Sequence, residues 1–328
     1  MKRSGRTSRS FSFNLKQETM DITAHEWHII ANPTLLNGHR AETAKAILTE
    51  LGNRNISHTL HAADGGEWSG QTAERLCREG QRHLMMVGGD GSINNVINGI
   101  YQSGVDTEEV HLAIIPLGTG NDFCRTLGYP KAEGFVNFLQ DGEFRPTDVG
   151  IVETVVNGAV TARRRFINIA GFAFDAAVIN ETVHGKPKLF PDAVYLLKLV
   201  KVLFSYKATR VTVTTEAGSY SDKLFTIACG NAQYNGNGMR QVPMANPHDG
   251  LLDLVTIRKI RPLKVVANVK NLFSGKHINL PEVKVTRTSY VELTSDQPLL
   301  GEVEGEMLAT GNYRIRMEEK RINILQAK

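Results

Sequence analysis

The chain has 328 residues, 41% of them hydrophobic and 22% charged, with 30 Gly and 11 Pro. This composition excludes a disordered or fibrous chain, and the length favours two domains over one core. A formal charge of +4 suits phosphate-bearing ligands or an anionic membrane but is too weak to indicate nucleic acid. The opening residues, MKRSGRTSRSFSFNLKQETM, are basic and Ser-rich without an apolar core, so residues 1–24 read as a disordered basic leader, with a membrane-touching arm as the alternative and Met20 as a second candidate start. No run of about 18 apolar residues is present, so no helical span is expected.

From Trp27 to Pro116, short β-rich runs alternate with helical stretches: WHIIAN, a helix around Ala41 to Leu51, HTLH, a helix around Gln71 to Arg78, HLMMVGG, a helix from Ile93, and HLAIIP. Strands separated by helices of this length predict a parallel sheet covered on both faces, with ligands gathered at the C-terminal strand ends. After Pro146 the texture becomes strands and turns: DVGIVETVV, RRRFINIAGFAF, RVTVTTEAG, DKLFTIACGN, LLDLVTI and EVKVTRTSYVELT. One helical segment is expected there, Asp192 to Tyr206, either packed at a cleft or lying at a membrane interface. YRIRM and RINIL suit either domain. The expected division is a nucleotide-binding α/β domain over 25–146 plus about 311–328, and a mostly β domain over 147–310.

The sharpest motif is Gly88-Gly89-Asp90-Gly91-Ser92, where an apolar strand passes directly into a helix. Glycines admit an anion close to the backbone, a helix start offers free N–H groups, and Ser92 adds a hydroxyl. Asp90 would repel phosphate there unless it holds Mg²⁺ or supports a base; the plain alternative is a turn with Asp as a cap. The next strand ends in Pro116-Leu117-Gly118-Thr119-Gly120-Asn121-Asp122-Phe123. Adjacent parallel strands end on one sheet edge, so Asp90 and Asp122 can converge while Thr119 and Asn121 hydrogen-bond phosphate or one another. Asn32-Pro33-Thr34 ends the first strand and gains weight from its position. Cys77, Cys124 and Cys229 lack CxxC spacing, and the ten histidines lack paired spacing, so neither zinc nor a disulfide framework is indicated and a reducing cytoplasm fits.

GGDGSINNVINGI followed by PLGTGNDFCRTLGYP resembles the catalytic domain shared by diacylglycerol, sphingosine and ceramide kinases and the soluble bacterial lipid kinases. NIAGFAFDA and GNAQYNGNGMRQVPMANPHDGLLDLVTI resemble the second domain of that family. The resemblance implies an NAD kinase-like α/β domain joined to a C-terminal β-sandwich, with ATP between them. It also implies a membrane-lipid acceptor, peripheral contact with an anionic membrane from the cytoplasm, and catalytic roles for Asp90 and Asp122; a homodimer stays open. A structural Mg²⁺ is implied at Asp249 with backbone oxygens near Asn246 and Leu251, the alternative being a simple Asp-Gly turn. In Glu304-Gly305-Glu306, Glu304 takes the place of the general base, and Glu306 is assigned to the nucleotide side. Glu302, Glu304 and Glu306 would share one face of an extended segment, so spacing alone does not choose among them.

The chain departs from that pattern in four places. Glu304 replaces Asp, Asn95 replaces Glu, the first loop reads NPTLLNG, and HAADGGEWSG lacks a clear nucleotide-contacting Thr. Two rivals remain: a soluble-substrate kinase of NAD kinase or phosphofructokinase type, against which GTGNDF and HDGLLDL argue, and an inactive lipid- or nucleotide-binding regulator.

Overall fold

The computed structural model describes residues 20–31, 40–62, 68–183 and 200–328. Asn32, Pro33 and Thr34, residues 63–67 of HAADGGEWSG, most of the leader, and residues 184–199, which include the first part of the expected Asp192 to Tyr206 helix, lie outside the described residues.

β1 (Trp27–Ala31), β2 (His58–Ala62), β3 (His83–Gly88) and β4 (His111–Pro116) pair in parallel in the order β2-β1-β3-β4. The helices between them are α1 (Ala41–Asn53), α2 (Trp68–Arg78) and α3 (Asp90–Gln102). β1 is buried along its whole length, as are β3 and β4 after their first residue, as strands covered on both faces must be. Two apolar clusters, one around Ile30, Met86 and Ile97 and the other around Trp27, Ile29 and Phe135, occupy the two faces of the sheet. α4 (Asp122–Thr126) follows β4, and α5 (Phe135–Asp141) leads into β5 (Glu143–Thr147).

The second half pairs eleven strands in one sheet around a core that includes Phe166, Phe172, Val211, Val213 and Tyr313. Its members are β6 (Gly150–Val156), β7 (Ala159–Phe166), β8 (Ile169–Ala173), β9 (Thr209–Thr215), β10 (Gly218–Gly230), β11 (Leu252–Arg258), β12 (Val283–Thr288), β13 (Tyr290–Thr294), β14 (Gly301–Val303), β15 (Glu306–Met307) and β16 (Asn312–Met317). The run RRRFINIAGFAF, expected as one strand, is divided between β7 and β8. Of the two closing strands, β16 pairs with β13 and β6, and only β17 (Ile322–Gln326) enters the six-stranded sheet, between β4 and β5.

The expectation of a single helical segment in this half is corrected. Residues 200–205 are helical within the expected Asp192 to Tyr206 span, and among the described residues three more α-helices occur: α6 (Phe174–Val183), α7 (Pro262–Ala267) and α8 (Val269–Ser274). α6 mixes apolar residues around its circumference, and α7 and α8 are six residues each, so none carries a 3.6-residue stripe long enough to stand out. Among the described residues, no helix is long and apolar enough to cross a membrane.

The halves are laced by buried polar groups. Asn98 of α3, itself buried, donates from Nδ2 to the Arg165 carbonyl at 3.3 Å and accepts the Arg165 N–H at Oδ1 at 3.2 Å, and the Gln233 N–H donates to Thr126 Oγ1 at 3.3 Å. This lacing sets β8 and the β14–β15 hairpin opposite the ends of β3 and β4.

Candidate active site

The two glycine turns are pressed together. Gly88 and Pro116 are register partners, and the Leu117 N–H donates to the Gly88 carbonyl. A Cβ on Gly89 would stand 2.8 Å from the Gly118 Cα, and one on Gly118 only 2.3 Å from the Gly89 Cα. These two glycines therefore serve turn-to-turn contact, while a Cβ on Gly91 would meet nothing within 4 Å. The free space for an anion lies at Gly91, beside the half-buried Ser92 and a helix start whose cap residue, Gly89, offers no side chain. Asn121 has a left-handed backbone, φ 51°, and its Nδ2 donates to the carbonyls of Pro116 and Gly118, so it shapes its own turn. Thr119 is exposed at the tip.

Asp90 and Asp122 do converge. Asp90 Oδ2 accepts the Asp122 N–H at 3.0 Å and Oδ1 accepts the Phe123 N–H at 2.9 Å, so Asp90 caps the neighbouring helix α4. Asp122 accepts the N–H groups of Asn237 and Gly238 at 2.8 and 2.7 Å, drawing in a loop of the β-rich half. Both carboxylates face Gly120, whose absent Cβ would stand 3.2 Å from Asp90 Oδ2 and 3.4 Å from Asp122 Oδ2. Burial raises the Asp122 pKa above the ordinary carboxylate value, and the neighbouring Asp90 charge adds to the rise. Two carboxylates at one open glycine suit a hard divalent cation, which would relieve that repulsion.

Glu304 sits in the two-residue turn of the β14–β15 hairpin, with φ 52°, followed by Gly305 at φ 83°. Consecutive left-handed residues are what such a hairpin turn requires, and a left-handed Glu is uncommon. Pairing of β14 with β8 carries this turn to Asn168. Glu304 Oε1 accepts the N–H groups of Ile167 and Asn168 at 3.0 and 2.7 Å, and Oε2 accepts Asn168 Nδ2 at 3.1 Å. The same Nδ2 lies 3.5 Å from Asp90 Oδ1. Burial pushes the Glu304 carboxyl up to about 7, with a smaller rise from the Asp90 charge, against the lowering by its hydrogen bonds.

The turn also corrects the expectation of one shared face. Glu302 is buried, accepts the Gly305 N–H at 2.8 Å and is raised by burial to about 8. Glu306 is exposed and pairs with Arg164 at 2.6 Å, and the same guanidinium donates to Asn95 Oδ1 at 3.0 Å. Asn95 thus belongs with Arg164 and Glu306.

Sequence reasoning did not single out Asn168, Arg164 or the Asn237 and Gly238 amides as site residues. Asn168 heads NIAGFAFDA, so the motif was visible, but its role depends on a strand pairing that no local pattern encodes. A cavity of about 110 Å³ was also missed. It is lined by Phe174, Phe225, Val255 and Ile257 and reaches Asp175 and Gln241, which are hydrogen-bonded to each other. Burial raises Asp175 to about 6. Across Gly171, where a Cβ would stand 3.0 Å from Asp175 Cβ and 2.4 Å from Glu302 Oε1, the cavity adjoins the β14–β15 hairpin. On the other side of the glycine turns, Arg40, Arg125 and Lys131 help line an open cavity of about 390 Å³ that includes Gly118 to Asn121.

At the expected Mg²⁺ turn, Asp249 Oδ1 accepts the Leu251 N–H at 3.0 Å, while Oδ2 faces Arg287 at 3.6 Å. Arg287 also pairs with the buried Asp253 at 3.2 Å. Among the described residues, no group of three or more His, Cys, Asp or Glu side chains is arranged to hold a metal.

Residues 26–152 match the diacylglycerol kinase catalytic domain, and residues 169–326 match the YegS C-terminal NAD kinase beta sandwich-like domain. The chain belongs to the diacylglycerol kinase catalytic-domain family. That membership makes it a kinase. It is 28% identical over 289 residues to a Chromohalobacter salexigens protein named "Probable lipid kinase YegS-like", covering 85% of this chain and 88% of that one. It is 25% identical over 284 residues to a Bacillus subtilis protein named "Diacylglycerol kinase", again covering 85% and 88%. A diacylglycerol kinase structure from Bacillus anthracis strain Sterne has the same fold, with a TM-score of 0.67 at 16% identity over 92% of this chain and 96% of that one.

Proposed function

We propose that this kinase transfers the γ-phosphate of ATP to the hydroxyl of a membrane lipid, with diacylglycerol as the foremost acceptor and phosphatidic acid as the product. The observation that carries the reading is the line Glu304–Asn168–Asp90, a half-buried carboxylate joined through one amide to the glycine turns. The names borne by the relatives and the apolar cavity beside Glu302 support a lipid acceptor.

Glu304 is the general base. A carboxylate offers about four lone-pair positions, and three are taken by Ile167 and Asn168, leaving one for a lipid hydroxyl. A base poised near neutral pH accepts the proton as the phosphoryl group arrives, a contribution of roughly 10²- to 10⁴-fold. Ser92, the backbone at Gly91 and the basic groups Arg40, Arg125 and Lys131 are assigned to the nucleotide, together with the turn Gly118 to Asn121, Glu306 and the outlying Asn32, Pro33 and Thr34. Asp90 and Asp122 would hold Mg²⁺, which neutralises charge on the transferring group when bound. Their other task is to clamp α4 and the 237–238 backbone, so alignment and charge are set by one pair of side chains. The turn at Asn246, Asp249 and Leu251 is retained as a second Mg²⁺ site, with Arg287 as the competing counter-charge.

Labelled ATP with diacylglycerol, ceramide, sphingosine, monoacylglycerol and NAD tests the proposal. Label in phosphatidic acid is the expected result. Label in NAD alone moves the chain to the soluble-substrate kinases, and no transfer to any acceptor leaves the inactive regulator.

A further inference from the structure

One side of the apolar cavity is formed by a segment that buries none of its own residues: neither α7 nor α8 has a buried residue. Val265, Val269 and Leu272 line the cavity, whereas Leu263, Val266 and Phe273 point outward, 73%, 51% and 50% exposed. A helix pair apolar on two faces gains nothing from water on the outer one, and clustered large apolar side chains mark a contact surface. The charges around them have one sign. From Lys259 to Lys276 the chain carries Lys259, Arg261, Lys264, Lys270 and Lys276 and no Asp or Glu. Among the described residues, only Lys264 of these five is ion-paired, to Glu282 at 2.5 Å.

Resting on the lipid-kinase reading, we propose that the outer face of α7 and α8 docks the enzyme on an anionic bilayer. Leu263, Val266 and Phe273 enter the boundary between headgroups and acyl chains, and Lys259, Arg261, Lys270 and Lys276 meet anionic headgroups. A second copy of the chain is a poorer occupant, because a two-fold contact would set like charges against like. Docking in this pose brings the cavity wall formed by Val265 and Leu272 against the acyl layer, so a lipid chain can pass from bilayer to cavity without crossing water.

The test is co-sedimentation of the full chain with phosphatidylcholine vesicles, with and without phosphatidylglycerol, alongside turnover of a short-chain diacylglycerol dispersed in water. The double variant Leu263→Ser, Phe273→Ser is expected to bind anionic vesicles roughly 10-fold less well. Lys259→Glu, Lys270→Glu, Lys276→Glu is expected to lose the preference for phosphatidylglycerol, and salt is expected to weaken wild-type binding. Turnover of the dispersed lipid stays unchanged in both variants. Vesicle binding equal to wild type in folded variants, or a wild-type dimer that the serine changes dissolve, overturns the docking assignment. A wild type that binds through this face yet phosphorylates no lipid overturns the acceptor reading instead. Should the serine variant misfold, Lys270→Glu and the salt dependence decide.

Discussion

Glu304 combines two opposing influences in one carboxyl, burial that raises its pKa and three donors that stabilise its charge. Its raised value of about 7 means that the basic form is lost as pH falls through neutrality, so kcat should decline on the acid side of about 7. Glu304→Gln is expected to lose at least about 100-fold in kcat with little change in the KM for ATP, and Glu304→Asp to retain measurable turnover. If Glu304→Gln works normally while Glu306→Gln is dead, the base is misassigned. Asn168 positions this base. Asn168→Ala removes a donor to the charged form, so steady-state kinetics across pH should show a lower kcat and an acid limb displaced to higher pH. A purely structural role would lower the amount of folded enzyme and leave the limb in place. Asp90→Asn should abolish transfer and also cost about 1 kcal/mol of stability, because the amide turns a donor toward the N–H groups of Asp122 or Phe123. Unchanged melting in that variant would mean the cap contributes nothing.

At the scale of elements, the β14–β15 hairpin decides which of three glutamates does what. Glu302 lies inside it, and burial has raised its carboxyl to about 8, so the folded chain keeps a proton that the unfolded chain releases. The stability linked to that proton is complete below the ordinary glutamate value of 4.5 and is lost as pH rises through about 8. Glu302→Gln keeps an acceptor for the Gly305 N–H and should melt higher than wild type at about pH 9, the difference vanishing at about pH 4. The turn at Asp249 allows a separate measurement. With a structural Mg²⁺ bound, EDTA lowers the wild-type Tm and has no effect on Asp249→Ala; identical melting with and without EDTA leaves Arg287 as the brace.

The parallel strands and both glycine turns were legible because each is a local pattern, an apolar run ending in residues that only a tight turn explains. β5 was not, since its run EFRPT contains a proline and is buried only at Thr147. The contact between Asn168 and Glu304 was not legible either, because 136 residues separate the partners and only the pairing of β14 with β8 joins them.

For the whole molecule, the division into halves is plain in the pairing of strands but not in the order of the chain. β17 fills the gap between β4 and β5, tying the last residues to the first sheet through the bonds of Asn323 and Ile324. A ribosome therefore releases the eleven strands of the second half before the first half has its final strand. Until then β4 and β5 present unpaired edges, and the nascent nucleotide domain waits on a segment made after the whole of the second sheet. Loss of the residues after Glu318 would leave every glycine-turn residue in place while removing the strand between β4 and β5, so a late frameshift in this chain is expected to act as a folding defect in the first domain.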